Sequence, residues 1–132
     1  MGQPAAKQGD QITAIDMHIV MVPSAVGPVP TPLPHPFMGI LNSGLSPNVN
    51  VMGRPAATVG SMADNTPQHF PMPPGTAFLK PPMGKGTILM GSPTVLINGK
   101  MAGRAGDTAL TCNDPVDLPV GTVVAVATVL IG

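Results

Sequence analysis

The chain has 132 residues, no net charge, 43% hydrophobic residues and only 9% charged residues. This length and hydrophobicity predict one folded domain, residues 1–132, and exclude a disordered chain, which needs low hydrophobicity and high net charge. Zero net charge argues against nucleic acid as a partner, and a single cysteine excludes a disulfide within the chain.

The N-terminal segment, MGQPAAKQGDQ, has no apolar core of a signal peptide. The longest apolar run, residues 123–131, is too short and too β-branched for a membrane-spanning helix. The 18 prolines and 16 glycines interrupt nearly every window in which a helix could form. We therefore expect an all-β protein with almost no helix, made in the cytoplasm.

A motif in the first six residues returns twice along the chain. MGQPAA at residues 1–6 matches MGRPAA at residues 52–57, and NGKMAGRAGD at residues 98–107 is a looser copy. Repeats that recur in register are typical of repeated structural units. The sequence predicts three units, each with an apolar strand, a tight turn at glycine and a segment of small residues.

Glycines mark the same turns in each unit. Asn98-Gly99 lies between apolar runs, which predicts a type I′ hairpin turn. Gly9-Asp10, Gly60-Ser61 and Gly106-Asp107 predict the next turn of the three units.

Two proline-rich connections, residues 23–36 and 71–82, separate the units. One interpretation makes them disordered linkers. Because both end in similar motifs, PFMG and PMG, we expect ordered loops with stiff, extended backbone instead.

The C-terminal residues TVLIG, 128–132, resemble TVLI at residues 94–97. The first unit begins at its turn and lacks such a strand. We therefore predict that the C-terminal strand lies near the N-terminus, supplies this strand and closes a three-unit ring of hairpins. Closure would also remove exposed strand edges.

The only histidines and the only cysteine fit the repeat frame. His18 and His69 each follow the glycine of their turn by nine residues, and Cys112 follows its glycine by six. His35 adds a fourth donor from the first unit alone. Four nitrogen and sulfur donors suit a tetrahedral Zn²⁺ site. The alternative is that each histidine is an ordinary surface or hydrogen-bonded residue and the cysteine a small buried hydrophobe.

Catalysis is a weaker interpretation of the same residues. Asp16 and Asp64 lie near His18 and His69 and could be imagined as general bases, but aspartate is also common in turns. Four protein ligands leave a zinc ion no position for a reacting water. The chain has no glutamate, no nucleophile elbow and no phosphate-binding loop. We predict no catalytic residues and no enzyme activity.

PAA at residues 4–6, RPAA at 54–57 and SPTVLINGKMAGRAGD at 92–107 resemble the motifs of PAAR-repeat proteins. The resemblance implies a small cone of β-strands that caps a trimeric spike. That spike is VgrG in type VI secretion, or a relative in other contractile injection systems. It also implies one zinc near the point of the cone, held by three histidines and one cysteine, here His18, His35, His69 and Cys112. No copy spells the full motif, because Lys7 and Thr58 stand in place of arginine.

The leading hypothesis is a zinc-stabilised tip that sharpens the spike for membrane puncture. The partner would be a trimeric VgrG-like protein bearing one copy of this chain, with transient contact to a target membrane. The tip would be assembled in the cytoplasm, then delivered outside the cell or into the target cell. Spike contacts are expected among Val49, Val51, Val95, Ile97 and residues 123–131.

Two other functions remain open. One is an adaptor that docks effectors through the proline-rich loops, with Phe37, Phe70 and Phe78 as anchors or as residues that pack the loops down. The other is a zinc hydrolase, which turnover by the purified protein would reveal.

Overall fold

The computed structural model describes residues 2–132, so Met1, the first residue of the repeated motif, lies outside the described residues. Within this range the chain forms β-strands and no helix. The strands are β1 (Gln3–Pro4), β2 (Gln11–Val22), β3 (Val29–Ser43), β4 (Asn50–Val51), β5 (Arg54–Pro55), β6 (Met62–Asn65), β7 (Ala77–Phe78), β8 (Lys85–Ile88), β9 (Leu96–Ile97), β10 (Lys100–Met101), β11 (Thr108–Thr111), β12 (Leu118–Val124) and β13 (Leu130–Ile131). The all-β prediction is confirmed. Over residues 2–132 there is accordingly no helix with the length and apolarity needed to cross a membrane.

Six strands form a closed antiparallel barrel. They lie in the order β12-β11-β8-β6-β3-β2, and pairing of β12 with β2, with Thr122 opposite Thr13, closes the sheet on itself. Ile12, Leu41 and Ile88 fill the interior together with alanines. Small and aliphatic side chains suit this core because the interior of a narrow barrel leaves little space between facing strands.

The longest element is the hairpin of β2 and β3, which pair from Gln11 opposite Ile40 to Val22 opposite Val29. Prolines occupy four alternate positions of β3, at residues 30, 32, 34 and 36. The N–H groups of alternate residues point to the same side of a strand, so the four missing donors all lie on the edge that does not pair with β2. The expectation of ordered, extended backbone for residues 23–36 therefore holds from Val29 onward.

The second proline-rich connection contains only β7, which pairs with β2 where Phe78 lies opposite Val20. The three phenylalanines differ in their environment. Phe37 is buried in the core, Phe78 packs against the rings of His18 and His35, and Phe70 is exposed.

The three sequence units meet in a cyclic set of backbone hydrogen bonds at one end of the barrel. The N–H of Ala6 donates to the carbonyl of Gly103 over 2.9 Å. The N–H of Gly103 donates to Ala57 over 2.9 Å, and that of Ala57 donates to Ala6 over 3.0 Å. Each unit thus donates one bond to the next. These three residues occupy equivalent positions of the repeats, so the sequence repeat produces pseudo-threefold symmetry.

Each unit also carries a short pair of antiparallel strands. Two of these pairs are hairpins, β4 with β5 and β9 with β10, and the third pairs β13 with β1. The last of these joins the two ends of the chain, with Gln3 opposite Ile131. This confirms that the C-terminal strand completes the first unit and closes the ring. Val51, Ile97 and Ile131 occupy equivalent positions and form a second apolar cluster, separate from the barrel core.

The hairpin turns have the predicted type. Asn98 and Gly99 both have positive φ, at 53° and 79°, and Met52 and Gly53 match them at 52° and 80°. Two successive positive φ angles define the type I′ turn, whose twist fits the flanking strands.

Candidate metal centre

Four side chains with metal-ligating atoms meet at the end of the barrel away from the ring. Asp16 and His18 are two residues apart on β2 and therefore lie on the same face of that strand. Cys112 directly follows β11, and His69 follows β6. At about 3.3 Å per residue, His18 lies roughly 25 Å along β2 from the turn at Asp10. The ring and the cluster therefore lie far apart in the molecule.

The ligand atoms of this cluster all lie within 4.8 Å of one another. The Cys112 Sγ is 3.7 Å from the His18 Nε2 and 3.4 Å from the Asp16 Oδ2. The His69 Nε2 is 3.1 Å from the same Asp16 oxygen. The four side chains are buried, and His18 and Asp16 have no exposed surface.

These distances fit one tetrahedral ion. With zinc bonds of about 2.3 Å to sulfur and about 2.05 Å to nitrogen or oxygen, the edges of a tetrahedron are about 3.6 Å between sulfur and nitrogen. The edges between nitrogen and oxygen are about 3.3 Å. Three of the six separations, Cys112 to His18, Cys112 to Asp16 and His69 to Asp16, agree with these values to within a few tenths of an ångström. The other three lie within 4.8 Å. The donor set therefore fits a transition metal such as zinc.

Burial shifts the pKa values of two members of the cluster, His18 and Cys112. The pKa of His18 falls below its ordinary value, first because burial penalises the imidazolium and second because His69 lies close to it. Burial is also the main cause that raises the pKa of the Cys112 thiol to about 12. The thiol is therefore neutral at physiological pH, and metal binding there must release its proton.

One nitrogen of His18 has no hydrogen-bond partner among the described residues. This is the buried Nδ1, which lies 3.5 Å from a carboxylate oxygen of Asp114. Histidines that bind a metal through one nitrogen normally direct the other at a carboxylate or carbonyl. His18 shows this arrangement. Its Nε2 lies in the cluster and its Nδ1 points towards Asp114.

Of the four ligands predicted from sequence, the structure brings His18, His69 and Cys112 into the cluster and places His35 beside it. The ring centroid of His35 lies 5.3 Å from that of His18 and 5.7 Å from that of His69. Its nitrogens contact backbone groups, with Nδ1 donating to the Leu33 carbonyl over 2.8 Å and Nε2 accepting from the Met72 N–H over 3.2 Å.

Sequence reasoning did not include Asp16 among the residues expected to bind a metal, although the structure places it in the cluster. The spacing of two residues between Asp16 and His18 was the available signal, because it places both on one face of a strand. Asp64, which was considered alongside Asp16, lies on the surface and pairs with Lys85 over 2.8 Å. The hydrogen bond from Lys85 is the main cause that lowers the pKa of Asp64.

A model of the PAAR motif matches residues 21–118, about three quarters of the chain. The chain belongs to the PAAR-motif family. Proteins of this family are structural spike-tip proteins, which suggests a tip role in type VI or other contractile secretion. The matched range contains His35, His69 and Cys112 and begins three residues after His18. No curated protein sequence matches the chain.

Proposed function

We propose that this PAAR-motif chain is the metal-stabilised tip of a trimeric, VgrG-like spike in a contractile injection system. The ring end would bind the spike, and the end with the metal centre would lead into the target membrane. The tip acts mechanically and needs no turnover. It would be assembled in the cytoplasm and leave the cell on the spike.

The observation that carries this proposal is the cyclic hydrogen-bonding of Ala6, Ala57 and Gly103. A single chain with pseudo-threefold symmetry can present three similar surfaces, one to each subunit of a trimer that lies on the same axis. In this proposal the three short strand pairs around the ring provide those surfaces.

Exposed apolar side chains on the hairpins supply the contact area. Leu96 on β9 and Leu130 on β13 occupy equivalent positions and are 63% and 61% exposed. Their strand neighbours Ile97 and Ile131 point the other way, into the second apolar cluster. Strand alternation would therefore separate the core positions of these strands from the positions that contact the spike. Leu96 was not among the contact residues expected from the sequence, whereas Leu130 lies within the expected residues 123–131. Val51 is a core position and Val49 is partly exposed.

The metal would hold the narrow end together. The segment after β6, which carries His69, contains no strand before β7, and the large apolar residues of the barrel core lie nearer the ring. A structural zinc contributes on the order of 10 kcal/mol to the folding of a small domain. In this proposal zinc ties that segment to β2 and to the end of β11.

The test is binding to a trimeric VgrG-like spike protein, measured by native mass spectrometry. We expect one chain per spike trimer. The double variant L96E/L130E should abolish the complex, because binding would then bury two carboxylates that have no hydrogen-bond or ion-pair partner in the apolar interface. V26E is the matched control, since Val26 is 92% exposed on the β2–β3 turn. Equal binding by both variants would contradict the proposed orientation.

A second candidate function is an adaptor for effectors. It is favoured by a cleft of about 280 Å³ whose lining includes Pro36, Met38, Phe70 and Met72. Of the three phenylalanines named as possible anchors, Phe70 has the exposure that this role requires. Loss of effector binding in F70S, with spike binding retained, would support this function.

A further inference from the structure

We propose that the tip of the β2–β3 hairpin, residues 22–29, inserts into the interfacial layer of a lipid bilayer by apolar contact and needs no anionic headgroup. The proposal rests on the spike-tip function, because it names the residues that would meet the target membrane ahead of the metal centre.

The hairpin tip extends beyond the last strand that pairs along β2. Within the described residues that strand is β7, and its pairing ends at Met21. The N–H of Thr76 donates to the Met21 carbonyl over 2.9 Å at the same level. Ser24 lies six residues beyond His18 in the sequence. At about 3.3 Å per residue, it lies up to roughly 20 Å further along the hairpin than the metal centre.

The side chains of the tip are apolar and exposed. Val26 and Val29 are 92% and 42% exposed, and Pro23, Ala25 and Pro28 are exposed as well. Soluble proteins rarely present neighbouring apolar side chains to water without a partner for them. The tip therefore has the surface of a contact site.

The absence of charge selects the kind of partner. Residues 17–53 contain no aspartate, glutamate, lysine or arginine, and the same holds for residues 65–79 beside them. Asp114, which accepts a hydrogen bond from the N–H of Ile19 on this half of β2, is buried. Charged side chains are costly in hydrocarbon, and lysine or arginine would be needed to bind anionic headgroups. The tip therefore suits the apolar part of a bilayer.

The backbone of the tip offers few donors that would lose water in a bilayer. Prolines at residues 23, 28 and 30 have no N–H. The N–H of Val26 donates to the Ser24 hydroxyl over 3.3 Å, and the N–H of Gly27 donates to the Ser24 carbonyl over 3.1 Å. The Ser24 hydroxyl in turn donates to the Gly27 carbonyl. Polar backbone groups that enter lipid must be satisfied within the protein, and Ser24 meets this need for most of the turn.

The apolar surface continues from the tip along the outer face of the hairpin. Ile15 and Met17 are exposed there, opposite Pro36 and Pro34. Directly opposite residues of an antiparallel pair share a face, so these four side chains form one uncharged strip. A bilayer that the tip has entered would meet further apolar surface as the protein advances.

The first experiment uses tryptophan fluorescence, because the chain contains no tryptophan or tyrosine. V26W carries the probe on the tip, and V126W carries it on Val126, which is 80% exposed near the ring. With phosphatidylcholine vesicles, the emission maximum of V26W should shift to shorter wavelength by about 10 nm, since the indole ring would leave water. V126W should not shift, and high salt should leave the V26W shift unchanged. An equal shift of V126W overturns the proposal, as does a V26W shift that requires anionic lipid and disappears at high salt.

The second experiment compares wild type with V26E by cosedimentation with the same vesicles. V26E should bind the vesicles at least about tenfold more weakly, because a carboxylate would enter the apolar layer. It should melt with wild type, since the side chain of Val26 is almost fully exposed. Equal vesicle binding by the two proteins overturns the proposal. Loss of effector binding in V26E, without vesicle binding by wild type, would also overturn it and assign the tip to a protein partner.

Spike binding separates this proposal from the function on which it rests. V26E should still bind the VgrG-like spike, and L96E/L130E should still bind the vesicles. A wild-type chain that binds the spike but no vesicle overturns the lipid contact alone. A wild-type chain that binds vesicles but no spike contradicts the proposed function and leaves the lipid contact supported.

Discussion

The sulfur of Cys112 lies 3.7 Å from the Nε2 of His18, although 94 residues separate them in the sequence. This contact joins the third repeat unit to the first at the narrow end, as the hydrogen bond from Ala6 to Gly103 joins them at the ring. The first and third units therefore contact each other at both ends of the molecule. Backbone hydrogen bonds join them at the ring, and the side-chain cluster joins them at the narrow end.

C112S should remove the bound metal and lower the melting temperature by more than about 10 °C, because a serine hydroxyl is a poor ligand for zinc. The measurement is metal content by elemental mass spectrometry, with thermal unfolding of the same samples. Chelator-treated wild type is the control and should melt close to the variant. Equal melting of C112S and zinc-loaded wild type would contradict a structural metal at this cluster.

Ile131 and Leu130 are adjacent on β13 but face opposite sides, so they form a matched pair. I131A should reduce the free energy of unfolding by about 2–3 kcal/mol, because Ile131 packs in the second apolar cluster. L130A should change it by less than about 0.5 kcal/mol and should weaken spike binding instead. Urea unfolding and spike binding separate the two effects. Similar unfolding midpoints for both variants would show that closure of the ring contributes little stability.

Gly60 has a φ of +94° in the turn that precedes β6, and no atom lies within 4 Å of a Cβ built on it. Any loss in the free energy of unfolding when Gly60 is replaced should therefore come from backbone strain and not from steric contact. G60A should destabilise the protein by about 1–2 kcal/mol, and G60N by roughly half as much, since asparagine tolerates positive φ. Chemical denaturation of both variants measures this difference. A larger cost for asparagine would instead point to a steric cause.

The alternating prolines of β3 protect a strand edge from pairing with another chain. Replacing Pro30 and Pro32 together by alanine restores two N–H donors on that edge. We expect dimers and larger species in analytical ultracentrifugation at concentrations where wild type sediments as a monomer. T31A is the control, because Thr31 belongs to the other set of alternate residues in this strand. Unchanged sedimentation of the double variant would assign the prolines another role.

Much of this architecture could be predicted from the sequence because it depends on short-range patterns. The repeated MGxPAA motif predicted the units, Asn98-Gly99 predicted a type I′ turn, and the likeness of residues 128–132 to 94–97 predicted closure of the ring. The turn could be predicted because positive φ at two successive residues restricts which residues can occur there. The units and the ring closure could be predicted because similar segments adopt similar local structure.

The membership of the buried side-chain cluster depends on information of another kind. The repeat frame related His18, His69 and Cys112, because equivalent positions of repeated units lie at equivalent places in the fold. It contained nothing about the pairing of Asp16 with His35, which the register of β2 and β3 sets. Nor did it indicate that Met72 would approach the nitrogen of His35, or that Thr111 would orient Asp16. Those contacts join residues far apart in the sequence, so only the tertiary structure decides which buried side chains meet in the cluster.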